Sequence, residues 1–315
     1  MSAAALQLAD MLLVLALAPA LTGLVRWLKA RLLGRRGASP LQPYRDLARL
    51  LRKEVALADN ASWVFRVAPY VSFTAIWLGA SLVPTISRGL PLGPTADLIA
   101  LMALLGSARF FIALAGLDVG TAFGGIGSSR EMMIGSLAEP AMLMVIFTLA
   151  VLVRSTSLDE MVAFMQGGAV GLRVSLALAL IALVMVAIAE NARIPIDNPA
   201  THLELTMVHE AMVLEYSGRH LALIEAGAML KLLLYASLVL AVFVPLGMPV
   251  AGEPLEAVAI GAGIYLLKLV LVAALLALFE TSIAKMRVFR VAEFLGGALL
   301  LAVLATLYLY VTQAL

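Results

Sequence analysis

Seven ionisable side chains fall inside or at the ends of strongly apolar stretches of this chain: Arg109, Glu139, Glu190, Glu225, Lys231, Lys268 and Glu280. A charge at the centre of a bilayer costs about 2.5–3.5 kcal/mol on insertion scales, so such groups are kept for pairing or for a polar path, or they snorkel to water. For Glu190, Glu225 and Glu280, near segment ends, a structural role and a functional one stand level. Lys231 and Lys268 lie well inside their segments, which favours function. The acids Glu139, Glu190, Asp197, Glu204, Glu210 and Glu215 all gather toward one side. Crowded carboxyl groups in partial burial suit proton uptake. Glu139 precedes Pro140, whose missing N–H frees the carbonyl of Ser136. That is either a polar opening beside a carboxylate or the first turn of a helix, where proline is favoured.

Other chemistry is poorly provided for. There is no cysteine, which removes thiolate metal sites, iron–sulfur clusters and disulfides. The three histidines, His202, His209 and His220, lie in one polar stretch and form no facing pair for a haem. His209-Glu210 is no zincin motif, because Val213 stands where the second ligand is required. GGIGSS (124–129) fits neither phosphate-binding glycine pattern. No nucleophile–base pair or cofactor cradle is visible. The expectation is a non-catalytic chain that binds no metal or cofactor and no nucleic acid.

The elements holding these residues are membrane spans. Of 315 residues, 63% are hydrophobic and 13% charged, and the mean hydropathy is +1.03. A soluble domain is nearer 45–50% and about 25%, so a soluble enzyme is excluded. Apolar runs of roughly twenty residues mean helices and not a barrel. The expected fold is an all-α integral membrane protein, a single polytopic domain over 1–315. Its eight spans run about 5–28, 63–87, 95–117, 138–154, 170–190, 221–246, 256–281 and 291–313. The opening MSAAALQLAD has no basic residue before the apolar run, so the first segment reads as a retained span. Sixteen Lys and Arg fall on one side of these spans and three on the other. Cytoplasmic loops attract basic residues, so both termini are expected to be periplasmic.

Three connections on the basic side stand out. In LQPYRDLARLLRKE (41–54), Tyr44, Leu47, Leu50 and Leu51 share one helical face, opposite Arg45, Arg49, Arg52 and Lys53. Such a helix either lies on anionic headgroups or docks a partner. The stretch 118–140 reads as a glycine-rich loop that turns sharply between spans. In 190–220, Pro195 and Pro199 break the fifth span, and a short helix follows from Thr201 to Tyr216.

The stretch ENARIPIDNPATHLEL with EYSG resembles the signature of the respiratory complex I subunit 1 family, the membrane subunit joining the peripheral arm to the antiporter-like arm. Glu190, Arg193, Pro195, Asp197, Glu204, Leu205 and Glu215-Tyr216-Ser217-Gly218 fall on its pattern. Ser129-Arg130 with Glu139 is similar to the family's glycine-rich loop. Gln42, Asp46, Lys53 and Glu54 match its first amphipathic helix. Ala200 and His202 replace two acids usual in complex I. SSREMMIGSLAEP, Lys231, and Lys268 with Glu280 look more like the homologous subunit of energy-converting [NiFe] hydrogenases, of the formate hydrogenlyase and hydrogenase-four component C type.

The resemblance implies a heel subunit in the bacterial inner membrane. It would sit beneath hydrogenase-like large and small subunits and an iron–sulfur subunit, beside antiporter-like membrane subunits. It implies an ion path through Glu139, Glu190, Asp197, Glu204, Glu210, Glu215, Lys231, Lys268 and Glu280, with module docking at Arg45, Arg49, Arg52, Arg130 and Arg193. Three alternatives stand beside it: a complex I subunit lining a quinone chamber, a structural anchor without ion conduction, and, last in order, a stand-alone transporter.

Overall fold

The computed structural model describes residues 3–167, 173–193, 208–284 and 290–314, and their regular structure is helical. The helices are α1 (Ala3–Leu32), α2 (Gln42–Arg52), α3 (Trp63–Leu82), α4 (Leu98–Asp118), α5 (Ala122–Val153), α6 (Leu158–Gln166), α7 (Val174–Glu190), α8 (His209–Val213), α9 (Gly218–Phe243), α10 (Leu255–Ser282) and α11 (Val291–Ala314). Six of them (α1, α4, α5, α9, α10 and α11) are long and apolar enough to cross a membrane, and α7 is a shorter apolar helix of 17 residues. With the 20-residue α3, they correspond to the eight apolar segments. The chain is a multi-pass, all-helical membrane protein.

Two groups of helices flank α3. α1 carries α10 and packs on α9, while α5 and α7 share α11. α3 lies between them, against both α4 and α9. Successive helices run in opposite directions, so the segment ends meet in two layers. In one, the Ser62 amide donates to Asp118 at 2.8 Å and Lys29 pairs with Glu280 at 2.9 Å. In the other, Arg88 and Ala251 exchange backbone bonds with the 249–251 and 88 segments, and Gly89 donates to Asp159 at 2.6 Å. The first layer gathers most of the basic residues and is called the basic end below.

The 118–140 stretch differs from the expected loop. The chain turns only at Val119–Thr121, where Gly120 has φ +69°, and Thr121 caps a helix that runs unbroken from Ala122 to Val153. Two glycines of GGIGSS serve packing: a Cβ on Gly124 would overlap the carbonyl oxygen of Gly116 in α4, and one on Gly127 would press on Ala211 and Met212. Small residues let two backbones approach closely where apolar side chains gain little over lipid. Glu139 and Pro140 therefore lie deep inside α5 and do not open a helix. α3 also stops earlier than expected, at Leu82, because Val83 precedes Pro84 and is driven to extended backbone.

α2 lies across α1 and α9. Tyr44, Leu47 and Leu50 turn toward the bundle, and the Tyr44 hydroxyl donates to the Ala16 carbonyl of α1. Arg45, Arg49 and Arg52 face outward. Leu51 is 60% exposed and does not join the apolar face. Of the short helix expected over Thr201–Tyr216, the described part is α8, His209–Val213. Residues 194–207, with Asp197 and Glu204, lie outside the described residues.

Candidate functional site

Four helices place four charges in one continuous chain. Arg109 of α4 pairs through one guanidinium nitrogen with Glu139 of α5 at 3.0 Å, and through the other with Glu190 of α7 at 2.9 Å. The second oxygen of Glu190 pairs with Nζ of Lys231 of α9 at 2.8 Å. The side chains of Arg109 and Glu190 are only 6% and 4% exposed. A buried charge needs an opposite partner, and the alternation acid–base–acid–base gives each of the four one within 3.0 Å. Glu139 is the exception in burial. Its side chain is 48% exposed on the outer flank of α5.

The backbone is adapted to this chain at two points. A Cβ on Gly135, one turn before Glu139, would overlap Nη1 of Arg109 and stand 2.8 Å from its Cζ. The absent side chain is the space the guanidinium occupies. At the end of α7, Ala192 has φ +47°, and the amides of Ala192 and Arg193 donate to the carbonyls of Ala189 and Ile188 at 3.1 and 3.0 Å. This is the Schellman type of helix stop, with alanine where glycine is usual. It leaves Glu190 turned into the bundle and sends Arg193 the other way, to Glu280 at 3.3 Å.

A cavity of about 70 Å³ adjoins the charge chain, lined by Arg109, Glu131, Glu190 and Lys231 together with Ser72 of α3 and His209 of α8. A cavity of this size with several charged groups in its wall has room for water. The arrangement can hold a proton on a carboxylate, pass charge changes between its members, and connect them to polar groups near the basic end.

Of the residues that the sequence marks for an ion path, Glu139, Glu190 and Lys231 come together. Glu280 forms a separate buried cluster with Lys29 and Arg193 at the basic end. Lys268 stands apart. Its ammonium donates to the carbonyls of Val244 and Leu246 at 2.6 Å each, just beyond the end of α9, so the structure uses it to close a helix terminus. Glu210 lies in the first turn of α8 and Glu215 just after it. Among the docking residues, Arg45, Arg49 and Arg52 are exposed on α2, Arg130 lies in the first part of α5, and Arg193 is tied to Glu280.

Arg109 and Glu131 join the site although the resemblance does not place them on the ion path. A lone arginine within 21 apolar-rich residues of α4 was the available signal, but its partners lie on other helices.

The EYSG signature turns out to be a clasp. The Tyr216 ring stacks on Phe65 at 3.9 Å, and its hydroxyl donates to the Phe65 carbonyl at 2.9 Å. Burial pushes the Tyr216 phenol up from its ordinary value, so it stays a donor. Ser217 accepts from the Ala56 amide at 2.8 Å and donates to its carbonyl at 2.9 Å. The segment after α2 is thereby fixed to the start of α9.

Fold and site together define a multi-pass helical membrane subunit with a buried chain of alternating charges. The NADH dehydrogenase family profile matches residues 5–311, and the chain belongs to that family. It is 36% identical over 279 residues to formate hydrogenlyase subunit 4 of Escherichia coli (strain K12), covering 88% of this chain and 89% of that one. It is 35% identical over 240 residues to hydrogenase-4 component C of the same organism, covering 76% and 75%. Its fold matches a chain of the membrane-bound sulfane sulfur reductase, an archaeal respiratory membrane complex, with TM-score 0.81 and 20% identity over 96% of this chain and 98% of that one.

Proposed function

We propose that this chain is the membrane heel subunit of an energy-converting [NiFe] hydrogenase complex of the formate hydrogenlyase kind. It carries no reaction of its own. Its basic end faces the cytoplasm and holds the electron-transfer module, and both termini are periplasmic in a bacterial inner membrane. The similarity to two hydrogenase-complex subunits over most of the chain supports the assignment. The basic asymmetry supports the orientation.

The observation that carries the coupling role is the sharing of Arg109 between Glu139 and Glu190. If Glu139 takes up a proton, Arg109 is left to Glu190 alone, and the hold of Glu190 on Lys231 relaxes. Charge changes at such distances are strongly felt away from bulk water. A proton arriving at one end is thus registered at the other without any large motion. The half-exposed Glu139 also supports a lateral partner: an acid on that flank needs polar cover from an adjoining membrane subunit. Asp197, Glu204, Glu210 and Glu215 would bring protons or polar contacts from the docked module.

Glu139→Gln tests this reading with least damage, since it keeps size and hydrogen bonding on a half-exposed group. Complex content on a native gel should stay normal, while ion uptake per electron pair in membrane vesicles falls. Normal content with an unchanged ratio would remove Glu139 from any obligatory path. Affinity purification of the tagged chain separates the wider alternatives. A large subunit with four metal-binding cysteines supports hydrogenase, and a cysteine-poor counterpart supports complex I.

A further inference from the structure

α10 and α11 are consecutive in sequence, yet α10 packs chiefly on α1, and α11 on α5 and α7. The divergence leaves a groove of about 390 Å³ between α7, α9 and α10. Its walls are apolar, with Val184 from α7, Leu232 and Val239 from α9, and Leu275 and Phe279 from α10. Ala187 and Ala236 are among the small residues that keep it open. The lining runs over about two turns of α9 (Leu232–Val239) and of α10 (Val272–Phe279), an almost wholly apolar slot below its basic end.

The end of the groove toward the basic side is different in kind. Asn191 and Arg193 line it. Glu280 neutralises only one of the two cations on it, Lys29 at 2.9 Å and Arg193 at 3.3 Å. Arg26 is close enough to Arg193 to act on it as a further like charge. The described groups at this mouth therefore carry excess positive charge directly above an apolar slot. Basic pockets between transmembrane helices at this level recognise anionic lipid headgroups.

We propose that this groove is a binding site for one acidic phospholipid of the leaflet at the basic end. Its acyl chains lie between α7 and α10, and its phosphate sits against Arg193 and Asn191. Bound there, the lipid fills the fissure between the α1–α10 and α5–α7–α11 groups and shields the Lys29–Glu280–Arg193 cluster from the acyl layer. The groove shares only Asn191 with the cavity beside the Glu139–Arg109–Glu190–Lys231 chain.

The test uses the full chain in its complex, reconstituted in nanodiscs of phosphatidylglycerol and phosphatidylcholine, then released into mild detergent for native mass spectrometry. The wild type should retain one phosphatidylglycerol. Arg193→Gln should lower its retention about five-fold, the share expected of one basic side chain at a charged surface, and Arg193→Lys should recover part of it. Ala236→Trp should abolish retention by filling the slot without touching a charge, which keeps the proposal testable if Arg193→Gln disturbs folding. Equal retention of the two lipids, or phosphatidylglycerol retention unchanged by Ala236→Trp, would overturn it. So would efficient cross-linking of Ala236→Cys to a neighbouring subunit, because the groove would then belong to a protein interface.

Discussion

Glu190 is the last residue of α7, and its carboxylate lies 2.8 Å from the ammonium of Lys231, which is well inside α9. A helix of 17 residues is ~26 Å long, short of the ~30 Å hydrocarbon layer. Lys231, meanwhile, lies ~20 Å along α9 from its start at Gly218. An acid at the end of a short helix thus meets a base in the middle of a long one. The partial negative charge of a helix C-terminus adds to the attraction for Lys231 and Arg109.

Arg109 is the shared cation of the chain. Arg109→Leu leaves Glu139 without its partner and Glu190 with only Lys231. Breaking a buried pair from one side costs about 3–5 kcal/mol, so the purified subunit should melt well below the wild type. Arg109→Lys should fall between them, because a single ammonium lacks the planar fork that reaches two carboxylates. A melting temperature for Arg109→Leu equal to that of the wild type would refute the shared role.

Gly135 makes room for that fork. Gly135→Ala should displace the guanidinium and destabilise by about 1–3 kcal/mol, the usual range for overpacking. In an Arg109→Lys background the same substitution should cost clearly less, since the overlapping nitrogen is gone. Thermal melts of the four proteins in the cycle give the coupling. Strict additivity would show that the two positions do not interact.

The Tyr216–Ser217 clasp should govern local opening more than assembly. Tyr216→Phe keeps the stack on Phe65 and loses one hydrogen bond, worth about 0.5–1.5 kcal/mol. Ser217→Ala frees both backbone groups of Ala56. Hydrogen exchange over residues 53–62 should accelerate in each variant and most in the double one, with α10 and α11 unchanged. Uniform acceleration along the whole chain would contradict a local clasp.

The outward face of α2 offers a test of docking and orientation together. Arg45, Arg49 and Arg52 all changed to Glu should release the soluble module while the chain stays inserted, read by membrane fractionation and blotting. Ser39→Cys, on the exposed connection before α2, should resist a membrane-impermeant maleimide added to spheroplasts and react in inverted vesicles. Labelling in spheroplasts would reverse the orientation. Loss of the chain itself from the membrane would make the face an insertion determinant.

Much of this protein is legible along the chain. Runs of apolar residues give the helices and the membrane, because hydropathy and backbone satisfaction in lipid are summed over about twenty neighbouring residues. The excess of Lys and Arg marks one set of loops, and the EYSG and E-x-x-R-x-P-x-D stretches carry the family. Glu139, Glu190 and Lys231 are visible as candidates because a charge inside a span is rare enough to need a reason.

Only the tertiary structure decides which of those charges meet. Lys231 and Lys268 look alike in sequence, each a lysine well inside an apolar segment. Lateral packing gives Lys231 a carboxylate at 2.8 Å and gives Lys268 two backbone carbonyls at 2.6 Å. Likewise, the glycines between Asp118 and Pro140 read as a loop that turns sharply between spans. In the bundle only Gly120 serves the turn, while Gly124, Gly127 and Gly135 form the thin face of a continuous helix, where a neighbouring segment or the Arg109 guanidinium occupies the place of a side chain. Local sequence sets how far a helix can run and how costly a charge within it is. The depth at which neighbouring helices sit, and the faces they turn to one another, set which charges are neutralised and by whom.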